Sequence, residues 1–163
     1  MSRWQGFAPE LVAGAVIAAD QISKALVMAS LPSGERIPLG PFADLVMVWN
    51  TGVSFSLFNA GHTTANVPIL LGLTAAMVVG LVVWRLRASE PWIRLGLGFV
   101  VGGALGNGLD RLRFGAVADF LYLHLGRYDF PAFNLADTAI SIGAALLVAN
   151  SLFGSSKSHK TVP

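Results

Sequence analysis

Four stretches of the chain are apolar for long enough to cross a bilayer, and they set the reading of everything between them. A hydrocarbon core about 30 Å thick takes roughly 20 mostly apolar residues per helical crossing. Runs of about that length extend over 9–31, 67–84, 92–110 and 134–153. The first ends at the breaker-rich Leu31-Pro32-Ser33-Gly34, the second is closed by Arg85 and Arg87, and the third starts after Pro91. The fourth gives way to a polar tail with Lys157 and Lys160. Four crossings leave two longer segments, 32–66 and 112–133, on one side of the membrane. In the first of these, Leu45-Val46-Met47-Val48-Trp49 reads as a short strand, and residues 52–58 suit a loop lying at the interface. In the second, residues 116–125 mix β-branched, aromatic and small side chains and read as another strand. The pattern predicts a mainly α membrane protein: four transmembrane helices with an outward-facing β-containing portion, in one domain spanning 1–163.

Composition supports this and narrows the chemistry. Of the 163 residues 54% are hydrophobic and only 12% charged, with mean hydropathy +0.64, whereas soluble domains carry about a quarter charged residues. Absence of cysteine excludes a disulfide framework, a thiolate nucleophile and any Cys-based metal site. The pI of about 9.4 does not point to nucleic acid, because the net charge is +2 and the basic residues are dispersed. They report topology instead. Arg3, Arg85, Arg87, Arg94, Lys157 and Lys160 lie on one side, against Arg36, Arg111, Arg113 and Arg127 on the other, so both termini are expected in the cytoplasm. The first span is expected to stay, since it carries Asp20 and Lys24 and lacks a small-residue cleavage site after it.

Ionisable groups in or beside membrane spans are costly and usually mark function. Asp20 and Lys24 stand four apart on one helix face; they form either a structural ion pair or part of the chemistry. Asn107, Asp110 and Arg111 share a face near the end of the third span, and Asp110 with Arg111 reads as a network tying helix ends together. Asp119 lies in apolar Val117-Ala118-Asp119-Phe120-Leu121, where desolvation would push its pKa up. Asp137 follows Asn134 by three residues, the spacing of an N-cap with a capping-box acid. As a pair the two acids suggest more. Two carboxylates at one membrane face can share a proton across a water, with Asp137 as base and Asp119 as acid. His62, His124 and His159 are scattered with no metal-ligand spacing, and no G-x-S-x-G occurs. Lys24 with Ser54 or Ser56 leaves a Ser/Lys hydrolase as an alternative.

These residues resemble one known family, the lipoprotein signal peptidases, or signal peptidase II, of bacterial inner membranes. The resemblance rests on Asp20-Gln21-x-x-Lys24, Asn50-x-Gly52-x-x-Phe55, Gly106-Asn107-x-x-Asp110-Arg111, Val117-x-Asp119-Phe120 and Phe133-Asn134-x-Ala136-Asp137-x-x-Ile140, in that order along nearly the whole chain. It implies an aspartic endopeptidase that removes the signal peptide of prolipoproteins just before a diacylglyceryl-modified cysteine, with Asp119 and Asp137 as catalytic dyad. It further implies that Asp20, Lys24, Asn50, Gly52, Asn107, Asp110, Arg111, Asn134 and Ala136 shape or support the site. No metal or other cofactor, a strand-rich cradle near the periplasmic face, contact with membrane lipids and inhibition by globomycin follow from the same resemblance. Ser54 and Ser56 depart from it mildly, where small apolar residues or glycine are expected. A monomer is the default expectation. The rivals are a small transporter using Asp20, Lys24 and Asp110 as an ion path, and a non-catalytic assembly protein whose acids are caps and ion pairs.

Overall fold

The computed structural model describes residues 9–52 and 67–153. Helix α1, Pro9–Ser30, opens with Pro9 and Glu10 in its first turn and stops two residues before Pro32. Its buried residues, Pro9, Ala13, Asp20, Lys24 and Val27, fall on one stripe, while Leu11, Ile22 and Leu26 are exposed. Small and polar residues face inward and large apolar ones outward, which is the inverse of a water-soluble helix and what a lipid surround selects.

Helix α2, Val67–Arg87, has no buried residue and packs chiefly on helix α3, Pro91–Phe114. Helix α3 starts at Pro91 after the extended Glu90 and ends at Gly115, whose φ of +73° is the left-handed conformation that closes a helix; its N–H donates to the Arg111 carbonyl at 3.0 Å. Both helices run past their expected ends. Residues 112–114 continue α3 because no breaker occurs before Gly115, so Arg111 and Arg113 lie on the helix rather than in an outward loop.

Helix α3 is the centre of the bundle. A Cβ at Gly98 would fall 2.8 Å from the Pro9 carbonyl oxygen, and one at Gly102 would fall 2.9 Å from the Ala13 backbone. On its other side, a Cβ at Gly96 would lie 3.0 Å from the Gly143 carbonyl oxygen, and one at Gly103 would overlap the Ala136 carbonyl. Helix α4, Leu135–Phe153, therefore touches α3 backbone to backbone. Among the described residues three helices, α1, α2 and α4, are long and apolar enough to cross a membrane. Helix α3 falls outside that set. Its glycines add little hydropathy and it carries Arg94, Asp110, Arg111 and Arg113, but it is enclosed by the other helices.

A four-stranded antiparallel sheet covers one end of the bundle, in the order β1 (Arg36–Pro38), β2 (Ala43–Asn50), β3 (Val117–Leu125), β4 (Tyr128–Asp129). The two strands expected from the sequence are β2 and β3; β1 and β4 are three and two residues long, too short for a period-2 pattern to show. Val27 and Leu31 at the end of α1 pack with Met47, Ala118 and Phe120 to anchor the sheet. The register between β2 and β3 slips by one: Leu45 opposes Leu121, but Val48 opposes Asp119. The extra residue in β2 is a bulge, and it puts Val48 and Asn50 on the face that carries Asp119. The expected interfacial loop at 52–58 lies outside the described residues beyond Gly52, as do Ser54, Phe55 and Ser56.

Candidate active site

At the sheet-covered end, α1 and α3 hold a buried ion network. Lys24 Nζ lies 2.8 Å from Asp20 Oδ2, 2.7 Å from Asp110 Oδ2 and 3.0 Å from Asn107 Oδ1, so each of its three protons has an acceptor. Asp20 and Asp110 then reach past the helices. Asp20 Oδ1 accepts the Ala136 N–H at 3.0 Å, and Asp110 Oδ2 accepts the Ala118 N–H at 3.2 Å. These two backbone groups immediately precede Asp137 and Asp119. A charged cluster at 0–1% exposure is tolerable only because every member is paired and hydrogen-bonded.

Asn134 joins the two candidate acids. Its Oδ1 accepts the Asp137 N–H at 3.0 Å while its own N–H donates to Asp137 Oδ2 at 3.3 Å, the reciprocal pattern of a capping box. Since Oδ1 serves as the cap, Nδ2 faces the other way and donates to Asp119 Oδ1 at 2.7 Å and to the Ala118 carbonyl at 3.3 Å. Asn50 Nδ2 donates to the second oxygen, Asp119 Oδ2, at 2.9 Å; its Oδ1 accepts the Gly52 N–H at 2.8 Å. Gly52 needs its freedom here, with φ +82° and Leu70 Cδ1 2.6 Å from where a Cβ would stand. Asn107 completes the frame. Its Oδ1 faces the Lys24 cation, so its Nδ2 donates to Asp137 Oδ1 at 2.8 Å.

Both carboxyls are thus held by amides, and their environments differ. Asp137 sits in the first turn of α4, whereas Asp119 lies on β3 among buried apolar neighbours. Burial pushes the Asp119 carboxyl up to about 6, the nearby Asp137 charge pushes the same way, and the hydrogen bonds from Asn50 and Asn134 partly offset both. Arg111 has Asp137, Asp119 and Asp110 as its electrostatic neighbours, and its buried Nε has no hydrogen-bond partner among the described residues.

All eleven residues singled out from the sequence are described, and they converge on this end. Asp20 and Lys24 pair as their spacing predicts, Asn107 and Asp110 enter the same network, and Arg111 stands beside the acids. Asn50 and Gly52 arrive from β2, and Ala136 is fully buried against Asp20. Two residues named above only in a motif and in the charge count, Gln21 and Arg113, also enter the network. Gln21 Nε2 donates to Asp110 Oδ1 at 2.9 Å and lies 3.2 Å from Asp20 Oδ2, and its Oε1 accepts from Arg113 Nη1 at 2.8 Å. A glutamine inside an apolar span needs partners as a charge does, and that signal was available. Among the described residues no group of three or more His, Cys, Asp or Glu has metal-holding geometry.

Known proteins resemble the chain over most of its length. The chain is 40% identical over 147 residues to the lipoprotein signal peptidase of Methylobacterium sp. (strain 4-46), covering 89% of this chain and 88% of that one. It is 43% identical over 140 residues to the lipoprotein signal peptidase of Azoarcus sp. (strain BH72), covering 85% and 78%. A solved bacterial membrane enzyme superposes with a TM-score of 0.81 at 26% identity, over 95% of this chain and 94% of that one. The family model for signal peptidase (SPase) II matches residues 12–153, and the chain belongs to that family of membrane peptidases.

Proposed function

We propose that the chain is an aspartic endopeptidase that cleaves the signal peptide from prolipoproteins just before the diacylglyceryl-modified cysteine, with Asp119 and Asp137 as its dyad. The observation that carries this is Asn134, one side chain bonded to both acids, which ties their positions together. Asp137, at a helix N-terminus, takes a proton from water as the water oxygen attacks the scissile carbonyl carbon. Asp119, with its raised pKa, holds a proton and gives it to the leaving nitrogen as the C–N bond breaks. The shared proton ends on Asp137 and returns to Asp119 before the next cycle.

The sheet supports four crossings. Strands β1 and β2 follow α1, β3 and β4 follow α3, and all four share one sheet. If α2 crosses away from the sheet, α3 has to cross back, and its 24 residues span about 36 Å. Basic residues at the opposite end, Arg85 and Arg87, orient that end to the cytoplasm and the dyad to the periplasmic side of the inner membrane. On this reading a lipidated substrate reaches the dyad sideways from the bilayer, and globomycin-type inhibitors compete with it. One chain supplies every named residue, so a monomer suffices.

The test is cleavage of a lipidated prolipoprotein by the purified chain. Asp119→Asn and Asp137→Asn, each folded, lower kcat by at least about a thousandfold, as removal of a required acid or base does. Full cleavage by either variant removes the dyad from the mechanism, and equal cleavage of substrate lacking the diacylglyceryl group removes the lipid requirement.

A further inference from the structure

Gln21 lies between the two acids that hold the backbone ahead of the dyad. Its Nε2 donates to Asp110 Oδ1 at 2.9 Å, lies 3.2 Å from Asp20 Oδ2, and is 3.3 Å from the Gly106 carbonyl. Asp110 in turn holds the Ala118 N–H, one residue before Asp119, and Asp20 holds the Ala136 N–H, one residue before Asp137. Lys24 spans the same two acids through Asp20 Oδ2 and Asp110 Oδ2. The acids are therefore bridged twice, once by a cation and once by a neutral amide. An amide can sit either way round, and its direction here has a cause: Oε1 faces Arg113 Nη1 at 2.8 Å, which turns Nε2 inward.

We infer that Gln21 is a positioning residue for the dyad, oriented by Arg113 and acting through Asp20 and Asp110 on the backbone before Asp137 and Asp119. The inference rests on the dyad reading above. Asp20 comes from α1, Asp110 from α3, Ala136 from α4 and Ala118 from β3, so four elements meet through one glutamine and one lysine. Lys24 alone would neutralise the acids without fixing both oxygens of Asp110, since it reaches only Oδ2. Gln21 occupies Oδ1 and leaves the Ala118 N–H and Lys24 to the other oxygen. Without it Asp110 is held through Oδ2 alone, its carboxylate can pivot about that oxygen and the Ala118 peptide loosens, which moves Asp119 relative to Asp137. Catalytic geometry is sensitive to displacements well under 1 Å.

The experiment compares wild type, Gln21→Leu, Gln21→Glu, Arg113→Met and Asp119→Asn as purified full chains acting on a lipidated prolipoprotein, with kcat, KM and the pH–rate profile measured for each. Wild type cleaving while Asp119→Asn does not establishes the dyad first, so failure of that comparison falls on the dyad reading and not on Gln21. Given that control, Gln21→Leu lowers kcat by about tenfold or more with KM within about twofold. The falling limb of its pH–rate profile also moves to lower pH, because a loosened Asp119 carboxyl is less fully desolvated, and burial is the chief cause of its raised pKa, ahead of the Asn50 and Asn134 hydrogen bonds and the Asp137 and Lys24 charges that also bear on it. A merely structural side chain would lower the amount of active enzyme and leave that limb in place. Gln21→Glu brings a carboxylate with no donor against Asp20 and Asp110 and loses more activity than Gln21→Leu. Arg113→Met, at a more exposed position, frees the amide to turn and gives a smaller loss with the same direction of pH shift. Should Gln21→Leu fail to fold, Arg113→Met carries the test. A folded Gln21→Leu or Arg113→Met variant with wild-type kcat and an unmoved pH profile overturns the inference.

Discussion

At the scale of single residues, the site uses amides to do what charges would do at greater cost. Asn50, Asn107 and Asn134 each present one end to a fixed partner and the other to the Asp119 or Asp137 carboxyl. The fixed partner decides which end donates: a backbone N–H for Asn50 and Asn134, the Lys24 cation for Asn107. This has a consequence for pH. Asp119 is raised to about 6 chiefly by burial, against the hydrogen bonds from Asn50 and Asn134 that favour its ionised form. Activity that needs Asp119 protonated is present below that pKa and is lost as pH rises through it. Asn50→Ala removes one of the opposing hydrogen bonds, so the pKa rises further and the falling limb of kcat moves to higher pH. A hydrogen bond to a charged group contributes about 1.5–3 kcal/mol, which sets the move at on the order of one pH unit. The pH–rate profile of the folded variant checks this, and a limb that stays or moves down contradicts it. The direction is opposite to that expected for Gln21→Leu, so the two variants separate loss of a direct contact from loss of positioning.

Helices and strands differ in how much of them the sequence makes legible. The spans of α1, α2 and α4 follow from apolar runs of the right length, and the capping box at Asn134 and Asp137 is visible in the spacing of two residues. The ion pair of Asp20 and Lys24 is equally local, four apart on one face. What escapes is non-local. The bulge that turns Asn50 toward Asp119 depends on how β2 meets β3 some 70 residues later, and nothing in residues 43–50 announces an extra residue. Gln21 likewise gains its meaning only from Asp110 and Arg113, and the short β1 and β4 have no period to detect. Helix α3 is the intermediate case: its glycines are plain in the sequence, whereas the neighbours that pack against them come from α1 and α4 far along the chain. Packing there gives a sharp expectation. A side chain at Gly103 would overlap the Ala136 carbonyl and Ile140 Cγ1, neither of which has room to move without shifting α4. Gly103→Val therefore separates α3 from α4 and carries Asp137 with it. Overpacking costs about 1–3 kcal/mol, so the thermal unfolding midpoint in detergent drops by several degrees and cleavage falls with it. Gly72→Val on α2, where a Cβ would meet nothing within 4 Å, leaves the midpoint within about a degree. Equal effects at the two positions would contradict the close packing of α3.

At the scale of the whole molecule, the described residues form a helical bundle with a sheet across one end, and the sheet bears on the topology more directly than hydropathy does. By composition α3 is not among the helices apolar enough to cross. Yet β2 and β3 pair along their length, with Asn50 opposite Val117 and Ala43 opposite Leu123, so the ends of α1 and α3 that lead into them lie on one side. The same conclusion follows at the far end, where Glu10 at the start of α1 pairs with Arg85 at the end of α2 at 2.5 Å. An interior helix has no need of a lipid-like surface, so on the proposed four-crossing reading its glycines and charges lower its hydropathy without barring it from the membrane. The chain has no cysteine, so single-cysteine labelling reports topology without background. Ser33→Cys, after α1, and Arg127→Cys, in the β3–β4 turn, are exposed and react with a membrane-impermeant maleimide from the periplasmic side. Ser89→Cys, in the exposed turn between α2 and α3, reacts only after the membrane is opened. A three-crossing arrangement would put Ser89 and Arg127 on the same side and would tear β3 from β2. Joint labelling of those two positions from one side would therefore refute the fourth crossing and the outward dyad together, because Asp119 lies on the strand that α3 delivers.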